Sequence, residues 1–443
     1  TQLCSSAASD VYKRQRVNTP PIAANNAGGA LSIFTRTLFM PRNLDLNNIP
    51  YENPNDRSSV YYRTDQENPR WLSNYAGSEQ KTNRFYGKIG ASYEMSENSS
   101  ISYRFGLDTY NETQEFKAAR GSVTAPYTTG YLRTTNGTNF IFDHNLNFSF
   151  NNIELADEFS LTTQLGFNAR RDTYEQFGQS SQNQVVFGFF DHDNFIDQTI
   201  NDPVAGSLTF QAQQNILGAY GEAAFDYGGY LFLTLSGRND WASTLEAENN
   251  SLFYPGASLA FVPTSMDGGS SDALNYMKFR AGYGTSARFP NAYSTRTGFN
   301  STASAVIGSD GNAVTTNGLS SFLGNVNLKP ELQKEFELGL EADLFKKRIS
   351  VDATVYKRSI RDQIVRRPIS PSSGATVTFD NIAESQIEGV EIGLDFTLIK
   401  SDNFTWSVRN NFSAAENTVI DLGGVESFAY AGFSNLGNYA SEG

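Results

Sequence analysis

The stretch Glu335-Phe336-Glu337-Leu338-Gly339-Leu340-Glu341-Ala342-Asp343-Leu344 alternates polar and apolar residues without interruption. A β-strand points successive side chains to opposite faces, so the apolar residues of this stretch share one face and the acidic residues share the other. The same period of two returns at 349–357 and at 390–398. The pattern therefore predicts strands that have one apolar face and one polar face.

About twelve segments of this kind follow one another along the chain, each of roughly ten residues. Besides the three above, they lie at about 84–93, 100–109, 140–150, 159–169, 216–227, 230–238, 253–262, 275–285 and 403–412. Ten residues is the length at which a tilted strand crosses a bilayer, whereas strands of soluble proteins average about five or six residues.

The connections between these segments alternate between short and long. Short ones lie at 94–99, 151–158, 228–229, 263–274, 346–348 and 400–403, and long ones at about 110–139, 170–215, 239–252, 286–334 and 358–389. Short turns at one end and long loops at the other are typical of bacterial outer-membrane barrels. We therefore predict an all-β fold, a partial transmembrane antiparallel β-barrel with apolar side chains toward lipid and polar side chains toward the lumen.

The composition agrees with this prediction and excludes other classes. The 443 residues include 33 Phe, 22 Tyr and 37 Gly, and no run approaches the roughly 18 apolar residues that a membrane helix needs. The net charge of −13 argues against a nucleic-acid partner, because phosphate binding needs clustered Lys and Arg. The single cysteine, Cys4, excludes an intramolecular disulfide framework.

The chain divides into three predicted parts. Residues 1–15 resemble a translated sequencing-adapter read-through, and we expect them to be an artefact. Residues 16–82 lack the alternation and contain Pro20-Pro21 and Gly28-Gly29, which predicts the remnant of a strand and a long extracellular loop. Residues 83–443 carry the strands of the barrel, and the Gly/Asn/Ser-rich end completes no element, so we expect the middle of a longer protein.

Six residues are candidates for contact with a substrate in the lumen or at its mouth. They are Arg104, Asp108, Arg238, Asp240, Trp241 and Arg280. Arg238-Asn239-Asp240-Trp241 lies where a strand passes into a long loop, which allows two interpretations. In the first interpretation the four residues contact substrate at the outer mouth. In the second, which is favoured, Asp240 accepts hydrogen bonds from Arg238 or from loop amides, and Trp241 belongs to the interfacial aromatic belt.

Motifs for metal binding and catalysis are weak. Asp191-His192-Asp193 offers ligand types, but adjacent residues rarely converge on one ion, and the segment falls in a long loop, so a solvated loop is favoured. The chain has two His, and no Ser or Cys is visibly paired with either. We predict no enzyme, no metal site and no cofactor.

Several phrases in order resemble the SusC/RagA-like branch of the TonB-dependent outer-membrane transporters of Bacteroidota. The resemblance spans roughly 65–420 and is carried by Leu235-Ser236-Gly237-Arg238-Asn239-Asp240-Trp241-Ala242-Ser243-Thr244-Leu245, Phe253-Tyr254-Pro255-Gly256-Ala257-Ser258, Lys278-Phe279-Arg280-Ala281-Gly282-Tyr283-Gly284, Asn327-Leu328-Lys329-Pro330-Glu331 and Glu388-Gly389-Val390-Glu391.

This resemblance implies a barrel of about 22 strands that is filled by an N-terminal plug. It also implies TonB-coupled uptake of large nutrients, oligosaccharides or peptides, across the outer membrane, driven by the TonB-ExbB-ExbD system. A SusD-like surface lipoprotein is the implied partner, besides the lipid of the membrane.

Other classes stay open beside this one: a passive porin or structural outer-membrane barrel, an enzyme in a barrel, and a soluble all-β binding module. Expressed alone, twelve strands of a wider barrel would have two open edges, so we expect aggregation.

Overall fold

A computed structural model describes the backbone of residues 3–19, 33–307, 309, 311, 313–424, 427–433 and 436–441, and the side chains of residues 33, 36–299, 309, 311 and 318–424. One large sheet, antiparallel along all its long strands, dominates these residues. The strands are β1 Leu3–Thr19, β2 Ala76–Ser96, β3 Ser99–Arg120, β4 Thr129–Ala156, β5 Phe159–Gln184, β6 Phe195–Thr199, β7 Asn201–Asp202, β8 Gly206–Ser207, β9 Phe210–Tyr227, β10 Leu231–Ala242, β11 Ser251–Phe261, β12 Leu274–Arg288, β13 Phe299–Ile307, β14 Ala313–Leu319, β15 Phe322–Leu323, β16 Glu331–Leu344, β17 Ile349–Pro368, β18 Val377–Lys400, β19 Thr405–Asp421, β20 Ser427–Phe433 and β21 Leu436–Ser441.

The long strands pair with their neighbours in chain order, as in an up-and-down barrel. This series of paired strands, from β1 to β19, is called the wall below. The path runs β1-β2-β3-β4-β5-β9-β10-β11-β12-β16-β17-β18-β19, with β6 added beside β5 and β15 beside β18. The pairs β7-β8, β13-β14 and β20-β21 form separate two-stranded sheets. Each of the twelve predicted segments lies within one of the long strands from β2 to β19 or overlaps it closely. The predicted all-β barrel wall is therefore confirmed.

The predicted strand lengths were wrong, because most of the long strands that pair in chain order are much longer than ten residues. β3, β4 and β5 contain 22, 28 and 26 residues. Most of the additional residues lie at the end where the long loops were expected, and they pair with one another as hairpins. The connection predicted at about 110–139 therefore shrinks to 121–128, and the one at 358–389 shrinks to 369–376. Polar residues cover both faces of these extensions, so the sequence alternation stops where the pairing continues.

The two ends of the wall differ in their connections. The turn end contains the connections 97–98, 157–158, 228–230, 262–273, 345–348 and 401–404. The loop end contains 121–128, 185–209, 243–250, 289–330 and 369–376. In bacterial barrels the short turns are periplasmic and the longer loops extracellular, so the loop end is the outer end.

The register gives each face of the wall one character. Leu338 pairs with Ala281 on one side and with Val355 on the other, and Val355 pairs with Val390, so apolar side chains form continuous rows. Many large apolar side chains in these rows are exposed, among them Leu165, Phe167, Leu217, Leu235, Leu259, Phe279, Phe336, Leu338 and Val355. Polar residues fill the alternate rows. A wall with its apolar face exposed suits lipid outside and a polar lumen inside.

Residues 33–75 form a small cap on the loop end. It contains the helices α1 Ile33–Leu38 and α2 Pro69–Tyr75. Trp71 and Leu72 of α2 are fully buried against Ala119, and Phe116, Tyr127 and Phe187 pack around them. Asn68 caps α2 by accepting a hydrogen bond from the Arg70 backbone N–H at 2.9 Å.

Three 3₁₀ turns complete the helical content of the described residues, at His192–Asn194, Pro263–Ser265 and Pro371–Ser373. None of the described helices is both long enough and apolar enough to span a bilayer. The division of the chain at residues 15 and 82 stays a prediction. β1, which contains most of 1–15, pairs with β2 at the edge of the wall, and β2 starts at Ala76.

Candidate functional site

The polar face of the wall is the candidate site, because it lines the lumen of a barrel. Its residues alternate with the lipid-facing ones on every long strand, and the register brings side chains from distant segments together. Several groups of charged residues are found there, and three of them are centred on Arg238, Arg280 and Asp108. Each of these three contains residues that the sequence singled out.

The first group joins β9, β10 and β11 through Arg238. An Arg238 Nη2 lies 2.7 Å from Oδ1 of Asp240, which is nearly buried. The Tyr254 hydroxyl donates to the other Asp240 oxygen and accepts a hydrogen bond from Arg238 Nε at 3.0 Å. The guanidinium also lies over the ring of Tyr220, 5.5 Å from its centroid. Arg238 and Asp240 are therefore joined in one network, as the structural interpretation predicted.

Glycines opposite these residues make the network possible. Gly218 pairs with Asp240, and a Cβ there would lie 2.4 Å from both Arg238 Nη2 and Asp240 Oδ1. Gly166 pairs with Tyr220, and a Cβ there would lie 2.1 Å from its ring. Real Cβ atoms do not approach other atoms so closely, so the large side chains lie flat on the wall only because the facing residue is glycine.

An open hollow of about 360 Å³ lies next to this network. Tyr220 and Glu222 contribute to its lining, and the Tyr220 hydroxyl donates to Asn147 Oδ1 at 2.8 Å. Glu222 accepts a hydrogen bond from Gln164 Nε2 at 3.3 Å. Amide, phenol and carboxylate groups therefore border the hollow, and they suit a ligand with many hydroxyl or amide groups.

The second group surrounds Arg280 of β12. Its guanidinium pairs with Glu341, donates to Asp352 Oδ1 at 2.7 Å and donates to Thr354 Oγ1 at 2.6 Å. Lys278 adds a second cation, 3.2 Å from Glu341. Gly339 lies opposite Arg280 and again leaves room for it, because a Cβ there would lie 2.2 Å from Nε.

The third group contains Asp108 of β3. The guanidinium of Arg84 binds this carboxylate through two nitrogens, with Nε at 2.8 Å from Oδ1. Arg104 lies on the same face of β3 as Asp108, and Gly106 lies between them on that face. Arg104 is exposed and forms no ion pair with a described residue. Its charge is therefore free to meet a group in the lumen.

Trp241 lies on the opposite face of the wall from the other five candidates. It pairs with Leu217, which belongs to the apolar rows, so its side chain lies on the lipid-facing side of β10. It is 42% exposed there. This placement favours the interfacial aromatic belt over contact with substrate in the lumen.

His192 has a structural role at the loop end. Its Nε2 lies 2.8 Å from Thr134 Oγ1 and its Nδ1 lies 2.7 Å from Ser181 Oγ. Burial lowers the pKa of His192, which favours the neutral ring in this position. Asp191 accepts a hydrogen bond from the Asp193 backbone N–H at 3.0 Å. Across the described residues, no three His, Cys, Asp or Glu side chains are grouped to hold a metal ion.

An ion pair between two loops ties the loop end together. Arg296 donates from Nε and Nη2 to the two oxygens of Glu246, each at 2.8 Å, and the Thr295 hydroxyl donates at 2.9 Å. The hydrogen bond from Arg296 is the main cause that lowers the pKa of Glu246 to about 2. The connection 243–250 is therefore fixed to the one that follows β12.

Sequence reasoning missed the residues that organise these groups. Tyr220, Tyr254, Gly218 and Gly339 were not among the candidates, although all four are at polar positions of the alternation. Their period-two position could have placed them on the lumen side. Their pairing with Arg238 or Arg280 depends on the strand register, which the pattern of one strand does not contain.

The family comparison covers most of the chain. The model of the TonB dependent receptor-like β-barrel matches residues 31–439. TonB-dependent receptor P3 of Formosa agariphila is 25% identical over 374 residues, which are 81% of this chain and 35% of that protein. TonB-dependent receptor P39 of the same organism is 25% identical over 410 residues, which are 88% of this chain and 38% of that protein. The chain spans little more than a third of the length of these relatives.

Solved structures support the same fold. The RagAB peptide transporter superposes with a TM-score of 0.70 at 16% identity, over 88% of this chain and 42% of that one. The RagAB peptide importer in its open-open state superposes with a TM-score of 0.67 at 17% identity, over 88% of this chain and 42% of that one. Receptors and transporters of the outer membrane, rather than enzymes, make up the matching family. The chain belongs to the TonB-dependent receptor-like β-barrels, as its resemblance to the SusC/RagA-like transporters predicted.

Proposed function

We propose that the protein is the barrel part of an outer-membrane importer that takes up large nutrients, oligosaccharides or peptides, by TonB-coupled active transport. The observation that carries the proposal is the polar face, where charged and amide side chains run from β2 to β19 behind an apolar outer face. Membership in the TonB-dependent receptor family supports active transport over a passive porin. RagAB, which has a similar fold, is named a peptide transporter, and this name supports a large substrate.

The proposal includes the partners that such an importer needs. The TonB-ExbB-ExbD system would supply the energy from the inner membrane, and a SusD-like surface lipoprotein would deliver substrate at the loop end. We place the protein in the outer membrane of a Bacteroidota-like cell. The relatives in Formosa agariphila support this assignment.

Within the lumen we assign different roles to the candidate residues. Arg104 is exposed and lacks an ion pair with a described residue, so it would contact the passing substrate directly. Asp108, Arg238, Asp240 and Arg280 already satisfy one another or their neighbours. These four residues would shape the wall and its charge, and the partly exposed Asp108 carboxylate would accept further hydrogen bonds from substrate hydroxyl or amide groups.

Uptake by cells that produce the complete protein tests this proposal. Cells with the gene deleted and cells with it restored would receive fluorescently labelled oligosaccharides and peptides of about the same size. We expect saturable uptake of one class in the restored cells, and its loss when a protonophore removes the proton gradient. Uptake that rises linearly with concentration and survives the protonophore would instead identify a passive porin.

A single substitution then tests the lumen assignment. Arg104→Ala should reduce uptake several-fold, because it removes an exposed cation from the route. Lys347→Ala changes a cation of the 345–348 turn and serves as the matched control, with wild-type uptake expected. Equal uptake by the two variants would remove Arg104 from the proposed route, while leaving the transport proposal to the protonophore experiment.

A further inference from the structure

A groove interrupts the lipid-facing side of the wall where β4, β5 and β9 meet. Ala169 of β5 lies between His144 of β4 and Leu217 of β9, which are its direct partners in the register. The next row toward the loop end contains Phe142, Arg171 and Asn215. The small Ala169 therefore forms a floor between larger neighbours, and these residues line a hollow of about 530 Å³.

Polar groups lie inside this otherwise apolar groove. Arg171 is exposed, and its Nε donates to Asn215 Oδ1 at 3.0 Å. No described carboxylate forms an ion pair with Arg171. His144 lies one row nearer the turn end, and its Nδ1 is 2.7 Å from the Tyr103 hydroxyl. The other ring nitrogen of His144 has no described protein partner in the groove.

The position of Arg171 along β5 identifies the depth of the groove in the membrane. Outward positions of β5 from the turn end are Phe159, Leu161, Thr163, Leu165, Phe167 and Ala169, and then Arg171. At about 3.3 Å per residue and a tilt of roughly 40°, the twelve residues 159–170 rise by about 30 Å, which is the thickness of a hydrocarbon core. Arg171 therefore lies at the headgroup level of the outer leaflet.

Two other cations on the same side of the wall are neutralised by carboxylates of the protein. Lys357 lies 2.9 Å from Glu388, and Arg361 lies 3.0 Å from Glu384. Arg171 differs from these two cations, because it has no ion pair with a described carboxylate and is exposed on the lipid-facing side, next to the apolar hollow. A phosphate group carries the complementary charge and matches the two-pronged donor geometry of a guanidinium.

We propose that this groove is a binding site for a phosphate-bearing lipid of the outer leaflet. Arg171 and the Asn215 amide hold the phosphate, and one acyl chain lies over Ala169 between Phe142 and Leu217. The Tyr103–His144 pair provides a polar contact for the ester region of the lipid. The acyl chain fills the hollow in the apolar face, so the phosphate and the chain bind together.

Native mass spectrometry of the complete protein in detergent micelles tests the site. The probes are dioleoylphosphatidic acid, dioleoylglycerol, which has the same chains without phosphate, and inorganic phosphate, which has no chain. We expect phosphatidic acid to bind at least about tenfold more tightly than dioleoylglycerol. Inorganic phosphate at the same concentration should not displace it.

Two variants and one control separate the contributions. Arg171→Gln should lower the affinity for phosphatidic acid to the affinity for dioleoylglycerol. Ala169→Leu fills the floor of the groove and should lower the affinity for both lipids. Lys357→Gln removes a paired cation outside the groove and should bind as the wild type does. Phosphatidic acid binding that is unchanged in both Arg171→Gln and Ala169→Leu would overturn the proposal. Full displacement by inorganic phosphate would overturn its lipid part.

Discussion

Glycine positions on the inner wall decide where its large polar side chains can lie. Arg238, Arg280, Tyr220 and Tyr356 each lie across a glycine of the neighbouring strand, and a Cβ at any of those glycines would lie within 2.4 Å of the side chain. The ion pairs of the lumen therefore depend on residues that carry no charge. We expect substitutions at these glycines to affect the wall as strongly as substitutions of the charged residues themselves.

Gly218→Ala tests this dependence. The new Cβ would collide with Arg238 and Asp240 and separate a partly buried ion pair, which should cost about 1–3 kcal/mol of stability. Gly284→Ala is the matched control, because the position also lies on the polar face and a Cβ there has no atom within 4 Å. The measurement is the temperature at which the complete protein in detergent loses its heat-modifiable mobility on a gel. Equal transition temperatures for both variants would contradict the packing argument.

The ion pair between Glu246 and Arg296 predicts how the loop end responds to acid. The pKa of Glu246 is lowered from 4.5 to about 2, so the ionised carboxylate is the form that the folded loops favour. The contribution of this pair is therefore present above pH 4.5 and is lost as the pH falls toward 2. Spin labels attached after Glu248→Cys and Tyr293→Cys, both exposed positions, should keep one distance at pH 4 and separate near pH 2.

Glu246→Gln gives the control for that experiment. The variant cannot ionise at this position, so its label distance should already be broad at pH 7 and should not change with acid. A wild-type distance that broadens between pH 5 and pH 4 would contradict the lowered pKa.

At the scale of elements, the sequence predicted where the strands lie in the membrane and missed how far they continue. Residues 140–150 alternate, whereas 129–139 of the same strand are mostly polar on both faces. The alternation reports the contrast between lipid and lumen, and it ends where the strand leaves the membrane and meets water on both sides. Five of the six candidate residues lie on the polar face, and Trp241 lies on the apolar face, where the favoured interpretation placed it in the aromatic belt. A role of these residues in substrate contact stays a prediction. Their partners required the register between strands.

The cap at 33–75 packs through α2 against the loop end of β3, so we expect the cap to depend on the wall more than the wall depends on the cap. Trp71 is fully buried and its Nε1 donates to the Arg57 carbonyl at 2.8 Å. Trp71→Ala should therefore remove about 3–5 kcal/mol from the cap. We expect rapid proteolysis within 33–75 and an unchanged heat-modifiable wall. Leu38→Ala, at an exposed position of α1, is the control and should leave the cap resistant. Loss of the wall in Trp71→Ala would show that the wall depends on the cap and would contradict this expectation.

At the scale of the whole molecule, the wall has two edges whose second side is unpaired within the described strands. β1 pairs with β2 and β19 pairs with β18. Unpaired backbone groups are costly in lipid, so residues 1–443 expressed alone should aggregate rather than insert. Detergent refolding followed by gel electrophoresis at two temperatures measures this. A folded, heat-modifiable monomer would contradict the expectation.

One face of the wall contacts lipid while the other lines the lumen, and this division is open to direct measurement. Spin labels placed one at a time at 335–343 of the complete protein in lipid vesicles test it through their accessibility to oxygen, which concentrates in lipid, and to a water-soluble nickel complex. We expect oxygen accessibility to alternate with a period of two and to be highest at Phe336, Leu338 and Leu340. Accessibility that does not alternate, or that is highest at Glu337 and Glu341, would contradict it.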